Sequence, residues 1–276
     1  MTILSRAVVV AVVALATMGQ TRVPDPLSQA REFYNAQQYT DAIRVAGEAR
    51  KVPAMAPAAM VITARAYLER FRQTQVVADL EQAREILRSV DATVLEPRDR
   101  VELFIAFGQS LYFDESYSLD DRFSAAAEQF EVALQRADLL DAGSRDRLFE
   151  WWAGALDRQA QQGAEGTRKP LYERILRHAE RELAVDVGAV SATYWLAAAA
   201  RGVNDLTRAI GAAAAGWVRA ASLGPRGEVL RDDLNRLMQQ VILPERAREI
   251  TSEGDPRSTL AILDAQWQDL KMRWQK

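Results

Sequence analysis

Small and aromatic residues recur near the start of the chain at a fixed distance. Ala30 is followed three residues later by Phe33, and Ala64 is followed three residues later by Tyr67. Positions three apart share one face of an α-helix, so each pair predicts a helix that packs closely against a neighbour. The two alanines are 34 positions apart. Such a period is typical of stacked helical hairpins, because one hairpin alone cannot bury its apolar stripe.

Residues 26–53 predict the first unit as two short amphipathic helices joined by a tight polar turn. Neither helix could bury its apolar stripe by itself, so the pair needs neighbours of the same kind. The residues expected to face inward are Ala30 and Phe33 on the first helix and Ala42, Ala46 and Ala49 on the second.

The pattern resembles the tetratricopeptide repeat (TPR), in which the first helix follows W-x2-L-G-x2-Y, the second follows A-x3-F, and a proline closes a unit of 34 residues. Ala30 stands at the small position of the first helix, Phe33 stands at the aromatic position, and Pro53 closes the unit. Ala46 departs from the pattern, since the family usually has a large residue there. The step from Ala30 to Ala64 equals the family period.

Later units repeat the pattern with insertions between them. The third is the fullest match, because Gly108 lies among aromatic residues of a first helix and Phe130 follows in the second helix. The fourth unit, which Ser144 is expected to cap, is less regular. The fifth again fits well, with Trp217 on its second helix and Pro225 at its close.

The resemblance implies an all-α fold. It predicts a right-handed α-solenoid of about five TPR-like hairpins over residues 24–225, with C-terminal capping helices over residues 226–276. Within such a stack, Ala64, Gly108 and Ala213 should each face an adjoining helix rather than water.

The first residues are typical of a targeting segment. In residues 1–19, Arg6 is followed by the uncharged apolar run 7–18, and small residues offer cleavage sites after Ala16 or Gly19. The run is about a dozen residues long, short of the roughly 20 that a spanning helix needs. We therefore expect a signal peptide and a periplasmic or secreted protein, which meets the membrane only if the segment is not cleaved. The alternatives are an uncleaved anchor or a buried first helix.

Composition narrows the function classes. The 276 residues are 49% apolar, and 35 basic residues against 38 acidic ones give a net charge of −3. Because the charges are interleaved, no broad positive field favours nucleic acid or an anionic membrane. The absence of cysteine excludes disulfides, thiolate metal sites, cysteine nucleophiles and a lipoprotein anchor. The single histidine, His178, has charged helix neighbours and is interpreted as a solvated surface residue.

Two insertions contain motifs that could suggest a ligand site. In residues 114–121, DESYSLDD, Ser118 and Asp121 are interpreted as a capping box, since the glycine and closing glutamate of a calcium loop are absent. Residues 161–170, QQGAEGTRKP, have glycines followed by two cations but lack the spacing and the preceding strand of a Walker loop. We interpret both insertions as solvated loops, with a helix starting at Pro170.

Two helices are expected after the repeats. The first has apolar residues from Leu230 to Val241 and should end near Leu243–Pro244. The second, capped by Asp255–Pro256, has a narrow apolar seam from Leu260 to Trp274. It is expected to close the stack with a polar outer face. The alternative is a helix that docks on a partner or pairs with its own copy in a dimer.

The concave side of a TPR stack is lined by the first helices of successive hairpins, and it binds a peptide or another protein. Arginine and aromatic side chains anchor such interfaces. Because the sequence contains no catalytic constellation, we expect no enzymatic activity and no cofactor. The expected function is an exported scaffold that mediates protein–protein interaction in the cell envelope. The candidate groove residues are Arg31, Tyr34, Arg65, Leu68, Gln109, Tyr112, Trp152 and Leu196.

A second interpretation is a ligand-binding or docking accessory of a solute transporter. Periplasmic TPR-like proteins associated with TRAP transporters are similar in size and helical layout, and the stretch 194–196 resembles them. Those proteins are usually lipoproteins, whereas this chain has no cysteine. A closed apolar tunnel would favour the accessory, and an open groove would favour the scaffold. An enzyme that uses a carboxylate pair is the third possibility.

Overall fold

The fold is described here from a computed structural model, which covers residues 25–115 and 119–274, with the backbone alone at 119 and 120. Within these ranges the chain is helical and contains no strand. The all-α prediction is therefore confirmed. The helices are α1 (Pro26–Asn35), α2 (Tyr39–Ala49), α3 (Ala56–Thr74), α4 (Val77–Ser89), α5 (Pro97–Tyr112), α6 (Leu119–Leu134), α7 (Ala142–Gln162), α8 (Glu165–Val185), α9 (Val190–Gly202), α10 (Leu206–Ala220), α11 (Pro225–Leu237), α12 (Leu243–Ile250) and α13 (Arg257–Arg273).

Each helix from α1 to α10 packs against the next one in the chain, α11 continues into α12 through a π-helical turn, and α12 packs against α13. The odd-numbered helices also contact one another in succession: α1 touches α3, α3 touches α5, α5 touches α7, α7 touches α9 and α9 touches α11. Side chains on these helices therefore share one continuous surface, which we call the inner face.

Small residues let neighbouring helices approach closely. Ala30, Ala64 and Ala213 have no exposed surface. Gly108 on α5 faces the ring of Phe130 on α6, and a Cβ at this glycine would lie 2.5 Å from a ring carbon. The prediction that Ala64, Gly108 and Ala213 face an adjoining helix is confirmed.

The first hairpin packs as expected on its second helix and differs on its first. Ala42, Ala46 and Ala49 are fully buried. On α1 it is Tyr34, only 4% exposed, that is buried most deeply among the aromatic residues, while Phe33 is partly buried at the edge of the core. The aromatic contact has moved by one residue, because Tyr34 packs edge-on against a tyrosine at the start of α2.

The connection between α7 and α8 is shorter than the sequence suggests. The prediction of a loop over residues 161–170 is wrong, since α7 extends to Gln162 and α8 begins at Glu165. Pro170 lies inside α8 rather than at its start. Proline has no backbone N–H, so Pro170 removes one helical hydrogen bond. Burial of the long apolar faces of the two helices outweighs this loss.

The start of α7 is capped by an acidic residue. Asp141 is the N-cap, and its carboxylate accepts hydrogen bonds from the Ser144 backbone N–H at 2.9 Å and from the Ser144 hydroxyl at 2.8 Å. The prediction that Ser144 is the cap is therefore wrong by one turn. Both residue types can cap a helix, so composition alone could not separate them.

The helix after the repeats continues past its predicted end. Residues 238–242 form a π-helical turn that joins α11 to α12, and Pro244 lies in the first turn of α12. The prediction that the helix ends near Leu243–Pro244 is wrong. A π-turn changes which carbonyl each N–H contacts, so it admits a residue that has no N–H.

Two sequence predictions concern residues that lie outside the described ranges. The proposed signal peptide, residues 1–19, is one of them, and the capping box of Ser118 and Asp121 is the other, since Ser118 is not described. Among the described residues, no helix combines the length and apolar character needed to cross a bilayer.

Candidate functional site

A pocket of about 240 Å³ opens on the inner face where α3, α5 and α7 meet the turn between α1 and α2. Four successive structural units contribute to its walls. Their side chains include two cations, two carboxylates and three aromatic rings. The lining residues are Gln37, Tyr39, Glu69, Arg72, Tyr112, Arg147, Glu150, Trp151 and Gly154.

A buried polar network holds the base of this pocket in place. Arg65 on α3 is 4% exposed, and its Nη1 lies 3.4 Å from the Glu102 carboxylate on α5, which is 3% exposed. The guanidinium also lies over the Tyr34 ring, 4.4 Å from its centroid. The network therefore ties α1, α3 and α5 together beneath the pocket.

Glu69, one helical turn after Arg65, is neutralised by its neighbours. Arg72 Nε donates to one carboxylate oxygen at 2.8 Å, and Gln109 Nε2 donates to the other at 2.7 Å. The Gln109 side chain is 1% exposed, and its carbonyl oxygen has no hydrogen-bond partner within the described part of the chain. The carboxylate of Glu69 is thus fixed and has little capacity for a ligand.

Arg147 on α7 supplies a cation to the pocket that no carboxylate neutralises. Its guanidinium donates to the Asn35 side chain at 2.9 Å and to the Ser144 hydroxyl at 3.2 Å. Among the described residues it forms no ion pair within 4.0 Å. Neutral partners therefore orient the guanidinium while leaving its charge available.

Glu150, one turn further along α7, supplies the opposite charge. Its side chain is exposed inside the pocket, and one carboxylate oxygen accepts a hydrogen bond from the Trp195 indole N–H at 2.9 Å. Desolvation by the surrounding helices, together with the charge of Asp146, raises the pKa of Glu150, although the Trp195 and Ser191 hydrogen bonds favour its ionised form. No lysine or arginine among the described residues pairs with it.

Aromatic rings form the apolar wall. Tyr112 meets Trp151 edge-to-face with their centroids 5.3 Å apart, and Trp151 stacks on Phe130 at 6.0 Å. The Arg72 guanidinium lies 5.9 Å from the Trp151 centroid. These contacts fix the rings, so the wall is rigid before any partner arrives.

The structure gathers half of the predicted groove residues at this pocket. Tyr112 lines it, while Tyr34, Arg65 and Gln109 lie in the network beneath it and are buried. Whether any of them touches a partner stays a prediction.

The other four predicted groove residues lie elsewhere. Arg31 forms an ion pair with Asp99. Leu68 has no exposed surface and lies in the core between α3, α4 and α5, so it cannot line an open groove. Trp152 is 2% exposed and faces α8, and Leu196 is half-buried against the core of the later helices.

The sequence reasoning missed several pocket residues that carry a helical signal. Glu69 and Arg72 follow Arg65 by four and seven residues, so they share its helix face. On α7, Glu150 and Trp151 follow Arg147 by three and four residues, so they also share its helix face, and Trp151 is adjacent to the predicted groove residue Trp152.

His178 is not a solvated surface residue, contrary to the prediction. Its side chain is 17% exposed and packs against Phe149 and Trp152, with centroids 5.5 Å and 4.8 Å away. Its Nε2 lies 3.3 Å from Glu182, which also accepts hydrogen bonds from Arg145 at 2.6 and 3.0 Å. Burial opposes ionisation of Glu182, but these hydrogen bonds prevail and lower its pKa to about 2. The cluster joins α7 to α8.

A larger cavity of about 770 Å³ lies where the ends of α7, α8, α9 and α12 meet. Its Arg168, Lys169 and Arg248 side chains are exposed, and Arg201 is already held by two hydrogen bonds to Glu245. Exposed side chains must lose rotamer freedom when they bind a ligand, so they preorganise little. The smaller pocket on the inner face is the better candidate.

Within residues 25–115 and 119–274, no group of three or more acidic or histidine side chains is arranged to hold a metal ion. Comparison with protein-family models, with curated proteins and with solved structures finds no match for this chain. Its function must therefore be argued from the geometry of the inner face.

Proposed function

We propose that the protein is an exported, non-catalytic scaffold of TPR-like repeats whose inner face binds a segment of another protein. In this proposal the stacked hairpins form a right-handed α-solenoid, and the inner face is its concave side. The observation that carries the proposal is the pocket between α3, α5 and α7, in which rings, a free guanidinium and a free carboxylate converge. Preorganised aromatic and arginine side chains are the residue types that anchor protein interfaces.

The character of the pocket walls favours a scaffold over a transporter accessory. An accessory that carries a small solute is expected to enclose it in an apolar tunnel. Here Arg72, Arg147 and Glu150 stand in the wall, and Arg72 and Glu150 reach solvent. An open, charged pocket suits a chain segment that continues along the surface on both sides.

Export is the part of the proposal that rests on the sequence alone. The basic residue, the apolar run and the small residues of segment 1–19 support it. The balanced charge of the chain is consistent with a protein partner rather than nucleic acid.

Photo-crosslinking in cells that produce the protein tests the proposal. The photoreactive residue p-benzoylphenylalanine replaces Gln37, an exposed residue at the pocket, or Val77, an exposed residue on α4 outside the pocket lining. The first position is expected to capture a defined protein and the second is not.

Two substitutions at Gly154 provide a steric block and its matched control. A Cβ at Gly154 would meet only the Trp195 ring at 3.9 Å, which is an ordinary contact, so Gly154→Ala should fold and bind normally. Gly154→Leu extends into the pocket and should abolish crosslinking from position 37. Equal capture from both positions, or capture unaffected by Gly154→Leu, would contradict the proposal.

A further inference from the structure

We infer that the pocket on the inner face receives the basic side chain of a lysine or arginine on the bound segment. This inference rests on the proposed function and specifies the chemistry of the partner. It follows from an unpaired carboxylate, an aromatic wall and an opening in one turn of α7.

The carboxylate of Glu150 is positioned but not neutralised. The Trp195 indole donates to it at 2.9 Å, and the acidic Asp146 lies on the same helix one turn earlier, where it is paired with Arg226 at 3.0 Å. A carboxylate that is held in place and has no cation beside it offers an ion pair to a cationic partner. The missing cation is the expected occupant.

The rest of the pocket suits a long side chain with a charged end. Tyr112 and Trp151 form a rigid apolar wall beside Glu150. Lysine and arginine pack their methylene groups on apolar surface and keep their charged end at a polar one. Their cations are also attracted by aromatic rings.

Gly154 leaves space in the pocket for such a side chain. It follows Glu150 by one helical turn and has no side chain to fill the pocket, and a Cβ there would make only one contact within 4 Å. Because this glycine is not needed for helix packing, we assign its effect to the space it leaves. Arg147, one turn before Glu150 on the same helix, has donors for a carbonyl or carboxylate group of the same segment.

Binding of short peptides to the full chain tests the inference. The probes are acetyl-Gly-Lys-Gly and the same peptide with arginine, norleucine or glutamate at the centre. The readout is the NMR signal of the Trp195 indole N–H, assigned with a Trp195→Phe variant, because this group contacts Glu150 directly. Lysine and arginine peptides should shift this signal and bind about two- to fivefold more tightly than the norleucine peptide, a difference expected of one solvent-screened ion pair.

Two variants separate charge from shape. Glu150→Gln keeps an acceptor for Trp195 and should abolish the preference for lysine over norleucine, whereas Gly154→Leu should weaken all four peptides. Equal binding of the lysine and norleucine peptides overturns the inference, as does the absence of any shift at about 10 mM peptide, above the millimolar range of one such contact.

The same experiments distinguish the two proposals. If Gly154→Leu abolishes crosslinking from position 37 while the lysine preference is absent, the partner-binding face stands and the assignment of a basic side chain fails. If crosslinking is also indifferent to Gly154→Leu, both fail.

Discussion

Arg147 on α7 donates a 2.9 Å hydrogen bond to the side chain of Asn35, at the end of α1 and 112 residues earlier in the chain. Its guanidinium also lies 6.0 Å from the centroid of the Tyr34 ring. The inner face therefore curves enough for the first and fourth odd-numbered helices to meet across it. This curvature creates the pocket, because a flat row of helices would leave the same residues far apart.

Removing one partner of the Arg65–Glu102 pair should lower the free energy of unfolding more than replacing both partners by apolar residues. Arg65→Met is expected to lower the free energy of unfolding by ~1–3 kcal/mol, because it leaves the buried Glu102 carboxylate with only the half-exposed Arg98, whose Nε lies 3.4 Å away. The double variant Arg65→Met with Glu102→Leu should recover most of this loss, since Arg65 Nε and Glu102 Oε2 lack hydrogen-bond partners in the native pair. Urea denaturation measures both values. A double variant no more stable than Arg65→Met would contradict this reasoning.

Two glycine-to-alanine substitutions should have opposite effects. Gly108→Ala places a Cβ 2.5 to 2.9 Å from the ring of Phe130, which has no exposed surface and cannot move aside. We expect it to destabilise the chain by ~1–3 kcal/mol through overpacking. Gly47→Ala on α2 meets no atom within 4 Å and should stabilise by ~0.5–1 kcal/mol, as alanine restricts the unfolded chain. Thermal unfolding compares them, and equal melting temperatures would refute the close contact.

The parts of the fold that the sequence predicts are those with a local signal. Small residues at Ala64, Gly108 and Ala213 recur at helical spacing beside bulky ones, and this recurrence is sufficient to predict close helix packing. Helix-breaking residues such as glycine and proline predict the ends of helices less well. Those of segment 161–170 suggested a loop, yet two helices of 21 residues each continue through most of it, because their apolar faces have neighbours to cover them.

The pocket could be predicted only in part, because register decides which side chains line it. Trp151 and Trp152 are adjacent, and one residue rotates the direction of a side chain by about 100° around a helix. Trp151 lines the pocket, whereas Trp152 packs against His178 in the core. The sequence does not indicate that Glu150 lacks a cationic partner, because this depends on distances between helices that are far apart in the chain.

Loss of the Glu182 charge should weaken the chain in acid. Burial raises the pKa of this carboxyl, but hydrogen bonds from His178 and Arg145 outweigh the burial and lower it from 4.5 to about 2. A carboxyl whose pKa is lower in the folded chain stabilises the folded state at pH values above its pKa in the unfolded chain. This contribution is lost as the pH falls from about 4.5 to 2. Glu182→Gln should therefore cost ~1–3 kcal/mol at pH 7 and almost nothing near pH 2. Urea midpoints of both proteins across this range provide the measurement.

Glu150→Gln should make the unbound protein more stable, in contrast to Glu182→Gln. Desolvation and the charge of Asp146 raise the pKa of Glu150 above its ordinary value of 4.5. Between pH 4.5 and the raised pKa the folded chain binds more protons than the unfolded chain, so stability falls as the pH rises through this window.

Glutamine has no charge to desolvate and keeps an oxygen that can accept the Trp195 hydrogen bond. We expect a gain of ~0.5–1 kcal/mol at pH 7, the size of a solvent-screened charge interaction, and none below pH ~4. Glu85→Gln, at an exposed position in the middle of α4, is the control and should change stability little at either pH. A Glu150→Gln variant less stable than the native chain at pH 7 would mean that this carboxylate serves packing rather than a partner.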